Sequence, residues 1–262
     1  MNKYPNAKTF RKSFEGITKP QLIRFDDDEL YVVKFKNNRH PNITGPRVLI
    51  NELVVSEFIQ LLIPSNVKGR VVEVNKEFIE RTQELHKLEP GLQFGSPYID
   101  PSRNFSFDAV GSISNSGDLP YVALIDTLFM NHDRRDENLR LSIENPDGRE
   151  KRYFFHMIDH GDILGGFDWN ADRLGEMAEQ EPYIYPFSEK LLDLNSDISA
   201  YEPCLTKMES IEESALIDIM EKVPGEWGIS EREREGFVYL IIKRKDKIRN
   251  VVSSCIEQLE DN

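Results

Sequence analysis

Apolar positions in the first hundred residues switch between two periods. PQLIRF (20–25) and ELYVVKFK (29–36) are short β-rich runs separated by the charged turn DDDE, which predicts an antiparallel hairpin. RVLINELVVSEFIQLLI (47–63) places Leu49, Leu53, Val54, Phe58, Leu61 and Leu62 at near-helical spacing, and Pro64 with Ser65 and Asn66 stops that helix. GRVVEVN (69–75) returns as a strand. PGLQFGSPYIDPSRN (90–104) is rich in Gly, Pro and Ser and is the best candidate for a boundary.

Beyond it the pattern becomes helical. DLPYVALIDTLFMN (118–131) predicts an apolar helix with Asp118 as N-cap and Pro120 in its first turn. The polar loop HDRRDEN (132–138) follows. LRLSI and KRYFFHMID then read as two strands joined by the turn ENPDG. From about residue 186 onward the periodicity is almost wholly helical, broken mainly by VPGEW (223–227). The fold class expected is therefore α+β and two-lobed. An N-terminal lobe (1–95) has a small antiparallel sheet and one helix, and a larger, mainly helical C-terminal lobe (96–262) holds a short hairpin. A ligand is expected in the crevice between them.

Composition adds exclusions. A chain of 262 residues that is 39% hydrophobic, with 15 Gly and 14 Pro, is a folded protein rather than a disordered or fibrous one. The net charge of −13 repels phosphate backbones and anionic lipids, so no nucleic-acid partner is expected. No apolar run approaches the length of a membrane span, and MNKYPNAKTFRKSF has no signal-like apolar stretch. Cys204 and Cys255 form neither a disulfide framework nor a CxxC pair. The chain reads as cytoplasmic.

Four features carry candidate chemistry. Asp-x-x-x-x-Asn is the spacing that puts a base and a metal-binding amide on one loop of a phosphoryl-transfer site. It occurs twice, as Asp126–Asn131 and Asp133–Asn138. The first begins inside the apolar helix, where Asp126 suits a bracing role through hydrogen bonds to loop backbone N–H groups. The second lies wholly in the polar loop, although any solvated loop can hold such a pair. FFHMIDHG ends a strand in Asp159 beside His160 and Gly161, a position that suits a Mg²⁺ ligand or a plain turn. A zinc cluster of His132, His156 and His160 has no supporting spacing. Lys34 alternates to the face opposite Val33 and Phe35. It is a surface lysine if that face meets solvent and a phosphate ligand, paired with Glu52, if the face meets the crevice. EGITKP before the first strand reads as a turn, with backbone N–H groups from Gly16 to Lys19 free to cradle phosphate. KRKDKIR (243–249) reads as a solvated helix face.

In order along the chain, Gly16-Ile-Thr-Lys-Pro, LYVVKF with Lys34, VLINE with Asn51 and Glu52, FGSPY around Gly95, LIDTLFMNHDRRDENLRL, IDHG, and VPGEW resemble the HipA-like kinase family, particularly its short stand-alone bacterial members. The resemblance implies a protein-kinase-like fold that binds ATP and Mg²⁺ and phosphorylates a hydroxyl-bearing acceptor, a Ser/Thr protein kinase by preference. It implies Lys34 as phosphate anchor, Glu52 as its helix partner and Asp133 as catalytic base. Asn138 and Asp159 become metal ligands, Gly16, Thr18 and Lys19 a phosphate loop, and FGSPY with Gly95 a segment near the adenine. HipA toxins carry an additional N-terminal region for which this chain has no room, so antitoxin docking is not expected. IDHG also resembles phosphatidylinositol kinases, which keeps a small-molecule or lipid-like acceptor open. The alternative is a kinase-shaped binding module without turnover.

Overall fold

The computed structural model describes residues 3–16, 18–37, 45–145, 150–194 and 197–260. The predicted hairpin forms as β2 (Gln21–Phe25) and β3 (Leu30–Lys34), but a strand precedes it: β1 (Ala7–Ser13) pairs antiparallel with β2. The EGITKP turn therefore lies between β1 and β2, not before the first strand. The helix α1 (Arg47–Leu62), the strand β4 (Arg70–Val74) and a short helix α2 (Lys76–Arg81) follow.

The segment read as a boundary contains a strand instead. β5 (Gly91–Pro97) lies between β3 and β4 in the sheet order β1-β2-β3-β5-β4, and it continues two residues beyond position 95. Its Gly and Pro residues hid it from a composition-based reading. Gly95 is opposite Val33, and a Cβ there would meet Val72 Cγ1 at 3.0 Å and Tyr31 Cβ at 3.2 Å, so β3 and β4 can approach only a glycine.

The C-terminal lobe begins with β6 (Ser102–Asn104), which joins β7 (Leu139–Ile143) and β8 (Tyr153–Met157) in a second antiparallel sheet. The predicted hairpin turn falls partly at 146–149, outside the described residues. Between β6 and β7 runs α3 (Leu119–Leu128), with Pro in its first turn. Asp118 stands at the N-cap position but makes no capping bond; it ends a 3₁₀ turn in helical backbone conformation, which turns its side chain from the helix N–H groups. The remaining helices are α4 (Ala171–Glu179), α5 (Pro186–Leu192), α6 (Glu202–Glu209), α7 (Glu213–Glu221) and α8 (Glu231–Glu260).

Two hydrophobic clusters hold the fold. The smaller one lies on the sheet face that carries Tyr31, Val33 and Val72, and is covered by Phe78 and Ile79 of α2. The larger one runs from the opposite face, at Val71 and Phe94, through α1 into α3, α6 and α8. Thirteen of the sixteen α1 residues are buried, so this helix is enclosed on all sides rather than lying on a surface. VPGEW, read from sequence only as a break, grips β5. Trp227 Nε1 donates to Leu92 O at 2.9 Å, and Glu226 Oε1 accepts from Leu92 N at 2.8 Å.

Candidate active site

Alternation along β3 sends Val33 into the small core and Lys34 to the other face, opposite Phe94. That face meets α1 and the end of β8, so Lys34 is buried. Its Nζ donates to Glu52 Oε1 and, at 2.5 Å, to Asp159 Oδ1. Thus β3, α1 and the segment after β8 deliver one ammonium and two carboxylates to a single point between the lobes.

One lysine does not balance two carboxylates taken from water. Burial opposes the charge on Lys34, but Asp159 and Glu52 together raise its pKa. Burial pushes Glu52 up, Lys34 pulls it down and Asp159 adds repulsion; the net shift is upward. Burial works against the charge of Asp159 as well, yet Lys34 holds its carboxyl at about 2. Asp159 keeps 44% of its side-chain surface exposed, so solvent screens part of that pull. Its backbone adopts φ 59°, a left-handed conformation uncommon outside glycine. Immediately after it, His160 N donates to Glu52 Oε2 at 3.0 Å and Asn51 Nδ2 donates to Gly161 O at 2.7 Å, so α1 fixes the whole turn.

The two Asp-x-x-x-x-Asn pairs occupy different places. Asp126 is fully buried on α3, where its Oδ1 accepts from Asn131 Nδ2 at 2.8 Å and Arg134 forms a bidentate pair with it, Nε to Oδ2 and Nη2 to Oδ1, both 2.8 Å. Asp126 braces the loop as expected, but through a guanidinium and an amide rather than loop backbone N–H groups. Arg134 is the hub that sequence reading missed. Its Nη1 also donates to Asn138 O and Ile158 O, each at 3.0 Å, and its Nη2 lies 3.3 Å from His160 Nδ1. Burial and the adjacent Arg134 push the His160 pKa well below its ordinary value, which keeps that ring neutral. The available signal was Asp126 itself, since a carboxylate on an apolar helix requires a buried cation.

Asp133, in contrast, is 39% exposed at the tip of this braced loop. Its carboxylate meets Arg135 Nη2 at 3.3 Å, a pair exposed enough to contribute little. Asn138 is buried and its Nδ2 donates to Asp133 O at 2.8 Å. Ile158 N donates to Asn138 O at 3.1 Å, which sets Asn138 and Asp159 at the same end of the β7–β8 hairpin. A third acid, Asp162, also escaped sequence reading. Burial raises its carboxyl, His132 at 3.5 Å counters that, and the charges of Asp133 and Asp159 raise it further.

The donors fit a hard divalent cation. The Asn138 Nδ2 is occupied by a backbone oxygen, which leaves its Oδ1 as acceptor, and Asp159 has exposed carboxylate surface. Among the described residues no group of three or more His, Cys, Asp or Glu converges to hold a metal. Two oxygen ligands completed by water and phosphate are the usual provision for Mg²⁺.

The remaining sequence candidates stand apart. Gly16, with φ 121°, and Lys19, with φ 40°, are exposed in the β1–β2 turn, and Thr18 is half-buried there. No contact joins them to Lys34, Glu52 or Asp159 among the described residues. At Gly95 a side chain would project toward Val72 and Tyr31, the face opposite Lys34. A concavity of about 820 Å³ lies elsewhere too, between Leu53 and Glu57 of α1, β4 and residues 222–226.

Comparison with known proteins identifies the fold. The chain is similar in structure to the Helicobacter pylori proinflammatory kinase CtkA, with a TM-score of 0.59 and 16% identity over 95% of this chain and 96% of that one. The Golgi casein kinase with Mn/ADP bound matches with a TM-score of 0.57 and 13% identity over 98% of this chain and 73% of that one. Hydra Fam20 matches at 0.51 and 12%, covering 97% and 85%. Identities this low establish the shared kinase-like fold. No curated protein sequence matches. The sequence profile of HipA-like kinases, however, matches residues 7–255, from the start of β1 to well within α8, and by that match the chain belongs to the HipA-like kinase family.

Proposed function

We propose that the protein transfers the γ-phosphoryl group of ATP to a hydroxyl on a protein acceptor, with Mg²⁺ as the metal. The observation that carries this reading is Lys34 joined to Glu52 and Asp159 across the lobes, with Asp133 at the tip of a separately braced loop. Lys34 holds the nucleotide phosphates, and Glu52 fixes the lysine's position. Asn138 and Asp159 hold the metal, which when bound supplies charge neutralisation at the phosphates. Asp133 orients the acceptor hydroxyl and takes its proton. A bond forms from the acceptor oxygen to the γ-phosphorus, and the bond to the bridging oxygen breaks to leave ADP. Arg134 touches no reacting atom; it positions the loop. Gly16, Thr18 and Lys19 close over the phosphates, and the backbone of β5 at Gly95 leads toward the adenine.

The first test is nucleotide binding, read as the thermal midpoint during titration with Mg-ATP. A ligand at 100 times its Kd stabilises by about 2.7 kcal/mol, a shift of several degrees. Lys34→Met and Asp159→Asn each reduce that shift. An unchanged midpoint of the intact protein at millimolar Mg-ATP overturns the reading.

A further inference from the structure

Between α7 and α8, on the C-terminal lobe, lies a groove of about 740 Å³ lined by Ile217, Met220, Val238, Tyr239 and Ile242. It contains none of the candidate site residues. Ile217 and Tyr239 are each 44% exposed, which makes them two of the few large hydrophobic side chains the described surface shows to solvent. Glu213, Glu221, Glu231 and Glu235 form the rim. None of these four makes an ion pair with another described residue. The one basic lining residue, Arg234, directs its guanidinium inward to Met220 O and Val223 O, which leaves the rim acidic.

We infer that this groove is a docking site for a basic amphipathic helix of another protein. The floor supplies apolar burial and the glutamates supply charge complementarity to flanking Lys or Arg. From Glu231 to Ile242, α8 rises about 16 Å at about 1.5 Å per residue, which suits a helix of three turns. A second copy is a poor occupant. Two chains of charge −13 repel, and the basic run on α8 is engaged at home: Lys247 with Glu181, Arg249 with Glu202 and Glu209, and Lys245 with Glu209 O and Ile211 O.

The probe is a fluorescent peptide of about 14 leucines and lysines, patterned so that the leucines share one helical face. Its anisotropy is followed on titration with the full chain. We expect saturable binding at micromolar protein that weakens as salt rises. Ile217→Asp and, separately, the exposed Glu235→Lys are each expected to raise Kd at least about ten-fold. Retention of the thermal midpoint in each variant verifies its fold, and Glu235→Lys stands as the test should Ile217→Asp unfold. The matched leucine–glutamate peptide should not bind. Equal Kd values for wild type and Glu235→Lys, binding of the glutamate peptide, or sedimentation showing a dimer that Ile217→Asp dissolves would each overturn the assignment.

Discussion

Lys34 and Glu52 touch, yet they belong to differently built parts of the molecule. Lys34 is on a sheet whose outer face has a core of its own, capped by α2. Glu52 is on a helix enclosed by the larger core, which also contains α3 and α8. Polar ties reinforce that enclosure: Arg47 with Glu233, Lys222 with Glu57 at 2.8 Å, and Lys207 Nζ donating to Leu62 O at 2.6 Å. The helix thus packs on both sides, against Val71 and Phe94 of the sheet and against α3, α6 and α8 of the helical part. Glu52, the Asp159 turn and the Arg134-braced loop form one packed block, and Lys34 reaches it from the sheet.

The comparison breaks first at the braced loop. Asp133→Asn should lower phosphoryl transfer by about 10²–10⁴-fold, with the thermal midpoint and Mg-ATP affinity nearly unchanged, because the carboxylate's ion-pair partner is the solvent-exposed Arg135, whose loss costs little. Assays of transfer alongside the midpoint separate the two effects. Asp126→Asn should act in the opposite order. It removes the buried partner of Arg134, which costs about 3–5 kcal/mol in denaturant unfolding, and any loss of rate follows from that. Glu52→Gln should leave the fold intact and weaken Mg-ATP binding several-fold in calorimetric titration, since Lys34 then turns wholly to Asp159.

The smallest effect concerns pH. Asp159 has a folded pKa of about 2, below its unfolded value near 3.9, so it contributes stability that is present above pH 4 and lost as pH falls toward 2. Unfolding curves of wild type and Asp159→Asn should therefore converge across that window. Curves that stay parallel would show that the Lys34–Asp159 contact adds no stability.

Much of the fold was legible from periodicity, because α1, α3 and the β7–β8 hairpin carry strong and unbroken patterns. β5 was not, since Gly91, Gly95 and Pro97 read as loop while its neighbours supply the packing that makes it a strand. β1 was missed because it is an edge strand with mostly exposed residues. At the site, Lys34, Glu52, Asn138 and Asp159 were nameable from motif spacing, and the contacts of Lys34 now bring three of them to one point. Arg134 was signalled only indirectly, by the need of the buried Asp126 for a cation, because its further partners Asn138, Ile158 and His160 converge only in space.

The most direct test of the central claim is transfer itself. Native lysate is incubated with γ-labelled ATP and either wild-type protein or folded Asp133→Asn. The account predicts labelled protein species with wild type that are absent with the variant, while both proteins show the same midpoint shift with Mg-ATP. Identical labelling with the two proteins, or transfer retained in Asp133→Asn and abolished in a folded Asp126→Asn, would contradict it.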